Sequence, residues 1–179
     1  MNACFSRPAR VVALFVALFC VAPIEAQVRS PFGWLPTNFD TTVNGNYRGA
    51  KIISRTQLDS MKRRYGISVI VNLAKDALPK HGDTEIQWAS ELGIEYVPVY
   101  LGSDPPSPKN WERIRTLLEG KGVYLHCAHG ADRTGAIIAR FRTEVEAVPP
   151  AAAYREARSY GFKPWLSSFR EWFGFPGKK

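Results

Sequence analysis

A cysteine, five residues and an arginine follow a short apolar run, a spacing that brings a nucleophile close to a cation. Cys127 comes directly after the strand-like run 123–126, and Arg133 precedes a helix-like stretch over residues 134–148. A loop between a strand and a helix N-terminus gathers backbone N–H groups around one point, where they and the helix dipole attract an anion. This field favours a thiolate, and a planar guanidinium binds two phosphate oxygens at once. Residues 126–134 therefore predict a phosphate-transfer site.

The residues inside this loop form the predicted substrate cradle. Their backbone amides can bind phosphate oxygens regardless of the side chains. We assign five loop residues, together with Arg133, to substrate binding: Ala128, His129, Gly130, Ala131 and Asp132. Asp132 needs a separate explanation, because a carboxylate repels phosphate. It either points outward to a basic loop residue or orients a ligand hydroxyl or a water.

Two histidines flank the cysteine, and they raise the alternative of a metal site. The side chains of adjacent residues point in opposite directions, and no Cys-x2-Cys pair or distant His pair completes a ligand shell. We therefore predict no metal and no cofactor. His129 is expected at the rim of the pocket, in reach of substrate.

The segment His126-Cys127-Ala128-His129-Gly130-Ala131-Asp132-Arg133-Thr134 resembles the signature loop of the cysteine-dependent protein tyrosine phosphatase superfamily, His-Cys-x5-Arg-Thr/Ser. From about Phe39 to Gly161 the order of elements resembles the dual-specificity phosphatase-like branch. So do Tyr47-Arg48-Gly49 and the run 66–73. An aspartate before the arginine, here Asp132, makes the loop resemble those of certain members of the superfamily. Many of these members are bacterial, and they include phosphoinositide and broad-specificity phosphatases.

The resemblance implies catalytic roles for two neighbours of the cysteine and for a distant acid. It implies that His126 holds the loop and tunes the thiolate from below. It also implies that the Thr134 hydroxyl helps the sulfur leave when the phospho-enzyme is hydrolysed. In the family, an aspartate on a loop upstream of the cysteine protonates the leaving oxygen.

Asp104 is the predicted general acid, because a leaving alkoxide or phenoxide needs a proton. It lies 23 residues before Cys127, after a predicted strand, in a loop stiffened by Pro105, Pro106 and Pro108. A turn aspartate before Pro-Pro is the competing interpretation. Asp76 and Asp83 are the alternative acids.

The elements around the loop alternate between strands and helices. Three helix starts carry capping patterns, at Ser54, Thr84 and Ser107. Strands are predicted at 67–73, 94–100 and 123–126, with a short edge strand near Tyr47. Helices are predicted at 134–148, with Val145 on the core face, and at 151–160 and 164–173. This alternation predicts one α/β domain with a mostly parallel central sheet flanked by helices on both faces.

The first 26 residues are predicted to lie outside this fold. Arg7 and Arg10 precede an apolar run over residues 11–22, and a small residue, Ala26, ends the segment. This pattern is typical of a secretory signal, and the run is shorter than the roughly 20 residues of a membrane span. An uncleaved anchor is the alternative. We expect a signal peptide at 1–26, an irregular lead-in at 27–46 and a catalytic domain at 47–175, in a periplasmic or secreted protein.

The net charge and the positions of the cysteines limit the kinds of binding partner and of disulfide that we expect. The 179 residues carry a formal net charge of +8; removing residues 1–26 takes away two of 24 Lys/Arg and one of 16 Asp/Glu, which leaves +7. A positive field favours an anionic substrate, and no basic run is long enough to favour nucleic acid. Membrane contact is expected only through a phosphoinositide substrate or an uncleaved signal. Cys4 and Cys20 lie in the predicted signal, so Cys127 cannot belong to a disulfide scaffold.

These observations together predict a phosphatase that acts on a phosphorylated protein or small molecule through a cysteinyl-phosphate intermediate. We expect the protein tyrosine or dual-specificity type. A phosphoinositide or inositol phosphate phosphatase is the first alternative. A catalytically silent phosphate-binding module and a sulfur-transfer enzyme, as in rhodanese-like domains, are the others.

Overall fold

The computed structural model describes residues 34–75 and 84–176. The predicted signal peptide and the two alternative acids, Asp76 and Asp83, lie outside the described residues. Within the described residues, no helix combines the length and the apolar character needed to cross a membrane.

Five strands form one sheet in the order β1-β2-β5-β3-β4. The strands are β1 (Asp40–Thr41), β2 (Tyr47–Gly49), β3 (Val69–Asn72), β4 (Glu95–Pro98) and β5 (Val123–His126). Four of them run parallel, and β1 pairs antiparallel with β2. The predicted parallel sheet is confirmed. The strand at Tyr47 was predicted at the edge of the sheet, but it lies between β1 and β5. The edge strand β1 and a 3-10 turn (Val43–Gly45) form within the segment expected to be irregular.

Six α-helices surround the sheet in the described part of the chain. They are α1 (Arg55–Tyr65), α2 (Glu85–Glu91), α3 (Pro108–Glu119), α4 (Asp132–Glu144), α5 (Pro150–Ser159) and α6 (Ser167–Trp172). The hydroxyls of the three predicted caps, Ser54, Thr84 and Ser107, each accept a hydrogen bond from a first-turn amide, at 3.2 to 3.3 Å. These local bonds satisfy donors that a helix N-terminus otherwise leaves unpaired.

The two faces of the sheet bury separate hydrophobic cores. On one face, Leu58 and Met61 of α1 and Trp88 of α2 pack against Ile70 of β3 and Tyr124 of β5. On the other face, side chains of α3 to α6 pack against β3, β4 and β5, and Cys127 belongs to this core. Helices on both faces leave the strand ends open as a site for ligands.

The helix after the loop ends at Glu144, earlier than the predicted Val148. Ala147 adopts a left-handed conformation with φ +53°, and the Val148 amide donates to the Arg142 carbonyl at 2.9 Å. This bond joins residues six apart and turns the chain back on the end of the helix before Pro149 and Pro150. Val145, predicted on the core face, is consequently exposed.

Candidate active site

Residues 127–131 connect the end of β5 to the start of α4. Cys127 is 3% exposed and packs in the core. The thiol thus lies deep in the loop. Its placement at the carboxyl end of a central parallel strand and just before a helix N-terminus matches the predicted anion site.

Three consecutive carbonyl groups of the loop are held from outside by residues of the segment 38–51. The Lys51 amide donates to Ala128 O at 3.4 Å, Asn38 Nδ2 to His129 O at 2.9 Å, and Arg48 Nη2 to Gly130 O at 2.7 Å. In a planar trans peptide the N–H points opposite to the C=O of the same unit. The amides of residues 129–131 therefore point away from these donors, toward the centre of the loop. Among the described residues, none accepts a hydrogen bond from these amides.

Gly130 makes the close contact between the loop and β2 possible. Its φ is +69°, and a Cβ there would lie 2.6 Å from Gly49 O and 2.7 Å from Ala50 N. A Cβ on Gly49 would in turn collide with the Tyr124 hydroxyl. The absence of a side chain at Gly49 and Gly130 therefore allows the backbone of β2 to pack directly against the loop.

His126 lies wholly buried at the end of β5, directly before the cysteine, and its role in holding the loop remains a prediction. Its Nδ1 is 3.4 Å from Cys127 O, and its Nε2 is 3.1 Å from Glu85 Oε1. The carboxylate contact is short but out of line with the ring N–H, so it acts through charge and dipole more than as a linear hydrogen bond. Both ring nitrogens face oxygen acceptors, which fixes the orientation of the ring.

Glu85 is itself held in a buried polar cluster. Its Oε2 lies 3.4 Å from Asn72 Nδ2 and 3.3 Å from the Tyr96 hydroxyl, and Asn72 also donates to that hydroxyl at 2.7 Å. Burial and the neighbouring Glu85 raise the pKa of Tyr96, so the hydroxyl keeps its proton for this contact. Sequence reasoning missed Glu85, because the capping pattern at Thr84 already accounted for an acidic residue in the first turn of α2.

The first turn of α4 presents the two remaining residues of the signature. Arg133 is half-buried, and Thr134 is wholly buried. The Thr134 hydroxyl has no hydrogen-bond partner among the described residues. An unpaired buried hydroxyl is costly, which fits a group that contacts the sulfur or a bound phosphate.

Asp132 faces away from the loop centre toward a basic residue, the first of the two predicted alternatives. Its Oδ1 accepts a hydrogen bond from the Lys163 amide at 2.9 Å, and its Oδ2 lies 3.6 Å from Lys163 Nζ. This contact offsets part of the repulsion that a carboxylate would exert on a phosphate. It also holds the segment after α5 beside the loop.

Asp104 is exposed, in the segment between β4 and α3. The Leu73 amide donates to His126 O and the Leu101 amide to Leu73 O, both at 2.8 Å, so the chain past β4 stays beside the cysteine strand. The Ser168 hydroxyl of α6 holds the neighbouring Ser103 carbonyl at 3.2 Å. Asp104 therefore follows at the same edge of the sheet as Cys127, and its role as the acid remains a prediction. His129, also exposed, remains a predicted rim contact.

Sequence reasoning missed the residues that hold the loop from behind. Tyr47-Arg48-Gly49 resembled the family, but an arginine within a strand has no local pattern that places it under a loop 82 residues away. Asn38 lies at φ +58° in a segment predicted to be irregular. Arg48 reaches the site because β2 pairs with β5, and Asn38 lies just before β1, which pairs with β2.

No cluster of three or more His, Cys, Asp and Glu side chains suited to a metal ion occurs in residues 34–75 and 84–176. The loop amides of residues 129–131 and the Arg133 guanidinium are the groups there that would bind an anion.

Solved structures with this fold include several phosphatases. The core catalytic domain of the PP-IP phosphatase SIW14 from S. cerevisiae, in complex with citrate, matches with a TM-score of 0.65 and 16% identity over 79% of this chain and 86% of that chain. A cysteine-to-serine variant of TpbA from P. aeruginosa, in complex with pTyr, matches with a TM-score of 0.59 and 19% identity over 78% and 84% of the two chains.

PTPMT1 matches with a TM-score of 0.53 and 17% identity over 75% of this chain and 90% of that chain. No family model matches the sequence, and a search of curated proteins finds no match. The likeness is thus one of structure, over most of each chain. This chain has the fold of the cysteine-dependent, tyrosine-phosphatase-like phosphatases.

Proposed function

We propose that this protein is a phosphatase that hydrolyses phosphate monoesters through a cysteinyl-phosphate intermediate. The observation that carries the proposal is the set of inward amides at residues 129–131, held above a buried cysteine by three outward carbonyl contacts. Preorganised donors of this kind stabilise the charge that spreads over phosphate oxygens in the transition state. Arg133 adds a cationic fork at the start of α4.

The proposed reaction has two displacements at phosphorus. The Cys127 thiolate attacks phosphorus, an S–P bond forms, the P–O bond to the leaving group breaks, and Asp104 gives that oxygen a proton. A water then attacks phosphorus and gives a proton to Asp104, and the S–P bond breaks. The Thr134 hydroxyl donates to the departing sulfur, and inorganic phosphate leaves.

The substrate we propose is a phosphotyrosine-bearing or dual-specificity protein substrate. The complex of the TpbA variant with pTyr supports this choice, because its fold is the same. The alternative, an inositol phosphate or phosphoinositide, is favoured by a different observation. Lys51 and Lys163 are exposed, and their backbone amides donate to Ala128 O and to Asp132 Oδ1, so further phosphate groups would meet cations there.

A substrate panel tests the function and the choice together. Wild type and Cys127→Ser would be assayed with phosphotyrosine and phosphoserine peptides, inositol phosphates, phosphoinositide vesicles and thiosulfate. Release of phosphate by wild type alone supports the phosphatase, and the preferred group identifies the class. Phosphate binding without turnover on any substrate would instead indicate a silent binding module, and thiosulfate turnover would indicate sulfur transfer.

Export is a separate proposal, which rests on the sequence of residues 1–26. A basic start, a short apolar run and a small residue at Ala26 are features of a cleaved secretory signal. N-terminal sequencing of native material should find a first residue near Gln27. An intact Met1 on protein from the cytoplasmic fraction would contradict the proposal.

A further inference from the structure

Arg48 is wholly buried beneath the signature loop, on the side of its outward-pointing carbonyls. Its Nη2 donates to Gly130 O at 2.7 Å, and its guanidinium lies over the ring of Tyr160, 3.6 Å from the ring centre. We propose that Arg48 is a positioning residue: it holds the Gly130 carbonyl outward and so aims the Ala131 amide at the phosphate. This inference rests on the proposed function of the same loop.

The surroundings of Arg48 fix the guanidinium in one place. The Tyr160 hydroxyl donates to Asp40 Oδ2 at 2.7 Å, and Asn38 Nδ2 lies 3.3 Å from Tyr160 O. Burial and the bond to Asp40 raise the pKa of Tyr160 to about 12, so this hydroxyl stays protonated and keeps donating. The strand β1 and the residue after α5 thereby form one support beneath the arginine.

The energetics of this arrangement argue against a purely structural role. Burial lowers the pKa of Arg48 to about 10, which means that the protein interior disfavours its charge. Its Nε and Nη1 are buried without a hydrogen-bond partner in the described part of the chain. A charge that the fold holds at a cost, with two donors unpaired, is better explained by what it does for the loop.

The Gly130 contact explains that use. A charged donor makes a stronger hydrogen bond than a neutral one, so Arg48 restrains this carbonyl more firmly than Lys51 N restrains Ala128 O at 3.4 Å. Because Gly130 has no Cβ, the peptide that follows it can rotate more readily than one that follows another residue. Without the arginine, the peptide between Gly130 and Ala131 loses the contact that directs its N–H inward.

The test compares Arg48→Met with Arg140→Met. Arg140 is a matched control, because it also donates to a backbone carbonyl, Trp172 O at 2.6 Å, and also lies over an aromatic ring, but it does not contact the loop. Isothermal titration with inorganic phosphate and thermal unfolding would be measured for both variants and wild type. Arg48→Met should bind phosphate about 10-fold more weakly, the loss expected for one charge-assisted hydrogen bond, while Arg140→Met keeps wild-type affinity.

The unfolding data separate positioning from general support. We expect Arg48→Met to keep a cooperative transition, with phosphate affinity lost out of proportion to stability. Equal phosphate affinity in Arg48→Met and wild type would overturn the inference, and so would equal losses of affinity in the two methionine variants. If Arg48→Met does not fold, Arg48→Lys decides: it keeps a charge but not the planar contact with Tyr160, and undiminished affinity in it would overturn the inference.

Turnover distinguishes this inference from the function on which it rests. If wild type hydrolyses no phosphate ester but Arg48→Met still loses phosphate affinity, the proposed function fails and the positioning role stands. If wild type is a phosphatase, Arg48→Met should have a raised KM at every pH tested, with phosphate affinity lost in parallel. Arg48→Lys should partly restore both.

Discussion

The side chains assigned to the chemistry differ in how firmly the protein holds them. His126 and Thr134 are wholly buried, Arg133 is half-buried, and Asp104 is exposed. Attack on phosphorus needs a nucleophile and donors in fixed positions. A proton donor at the mouth of the site must also let substrate enter, and an exposed loop is suited to that.

At this scale, Arg133→Lys tests the phosphate clamp. Lysine keeps the charge but loses the planar, two-pronged geometry. We expect kcat to fall by about 100-fold or more, as when one preorganised donor to a transition state is removed. Arg55→Lys is the control, because Arg55 makes an exposed ion pair with Glu91 at 2.8 Å on another part of the surface. Near wild-type kcat in Arg133→Lys would mean that the clamp is elsewhere.

Asp104→Asn tests the general acid by its dependence on the leaving group. An alkoxide needs a proton as it leaves, whereas an aryl oxide with a good leaving group scarcely does. We expect kcat to fall strongly on alkyl phosphates and much less on activated aryl phosphates. Asp59→Asn, on the surface of α1, should change neither. Equal small losses on both substrate types would identify Asp104 as a turn residue and return the search to Asp76 and Asp83.

At the scale of elements, the loop depends on how closely β2 approaches it. The register of the pair places Gly49 opposite His126, directly before the loop. The backbone of β2 then fills the space where a side chain on Gly130 would stand. The strand β2 therefore shapes the back of the loop.

Gly130→Ala should disrupt this contact. A left-handed φ costs an alanine about 1–2 kcal/mol, and here the Cβ also meets backbone atoms that cannot move aside easily. Gly93→Ala is the matched control, because Gly93 has φ +62° with nothing within 4 Å of the added Cβ. Thermal unfolding and phosphate titration should find reduced stability in both variants but at least about 10-fold weaker phosphate binding in Gly130→Ala alone. Wild-type affinity in Gly130→Ala would contradict the geometry.

What the sequence could predict depended on how local each signal is. The caps at Ser54, Thr84 and Ser107 are bonds between residues three apart, so the helix starts were predictable. The two-residue strand β1 carries no periodicity, and its position became visible only through its pairing with β2. The early end of α4 depended on the backbone of Ala147, a residue with no preference for a left-handed φ.

The residues of the site also differ in how local their sequence signals are. Cys127 and Arg133 stand in one short segment whose spacing carries the chemistry, so the anion loop could be predicted from sequence. Glu85 beneath His126 and Arg48 beneath Gly130 reach the site through the sheet and its helices. Contacts over such separations follow from tertiary packing, which a single sequence does not reveal.

At the scale of the whole molecule, the 179-residue chain carries a formal net charge of +8, which favours an anionic substrate. Long-range attraction raises the encounter rate with anionic substrates and weakens as salt screens it. The screening length falls from roughly 30 Å at 0.01 M to roughly 10 Å at 0.1 M ionic strength. We expect kcat/KM for a phosphate ester to fall over this range of sodium chloride while kcat stays nearly constant. A flat or rising kcat/KM would contradict electrostatic attraction of substrate.

The covalent intermediate is the central claim, and trapping it tests the account most directly. Wild type mixed with an activated aryl phosphate would be quenched in acid within one turnover, digested and analysed by mass spectrometry, with Cys127→Ser as the control. The account predicts one phosphoryl group on the peptide that contains Cys127 in wild type, and neither this adduct nor turnover in Cys127→Ser. A phosphoryl group on another residue, or substantial hydrolysis by folded Cys127→Ser, would contradict it.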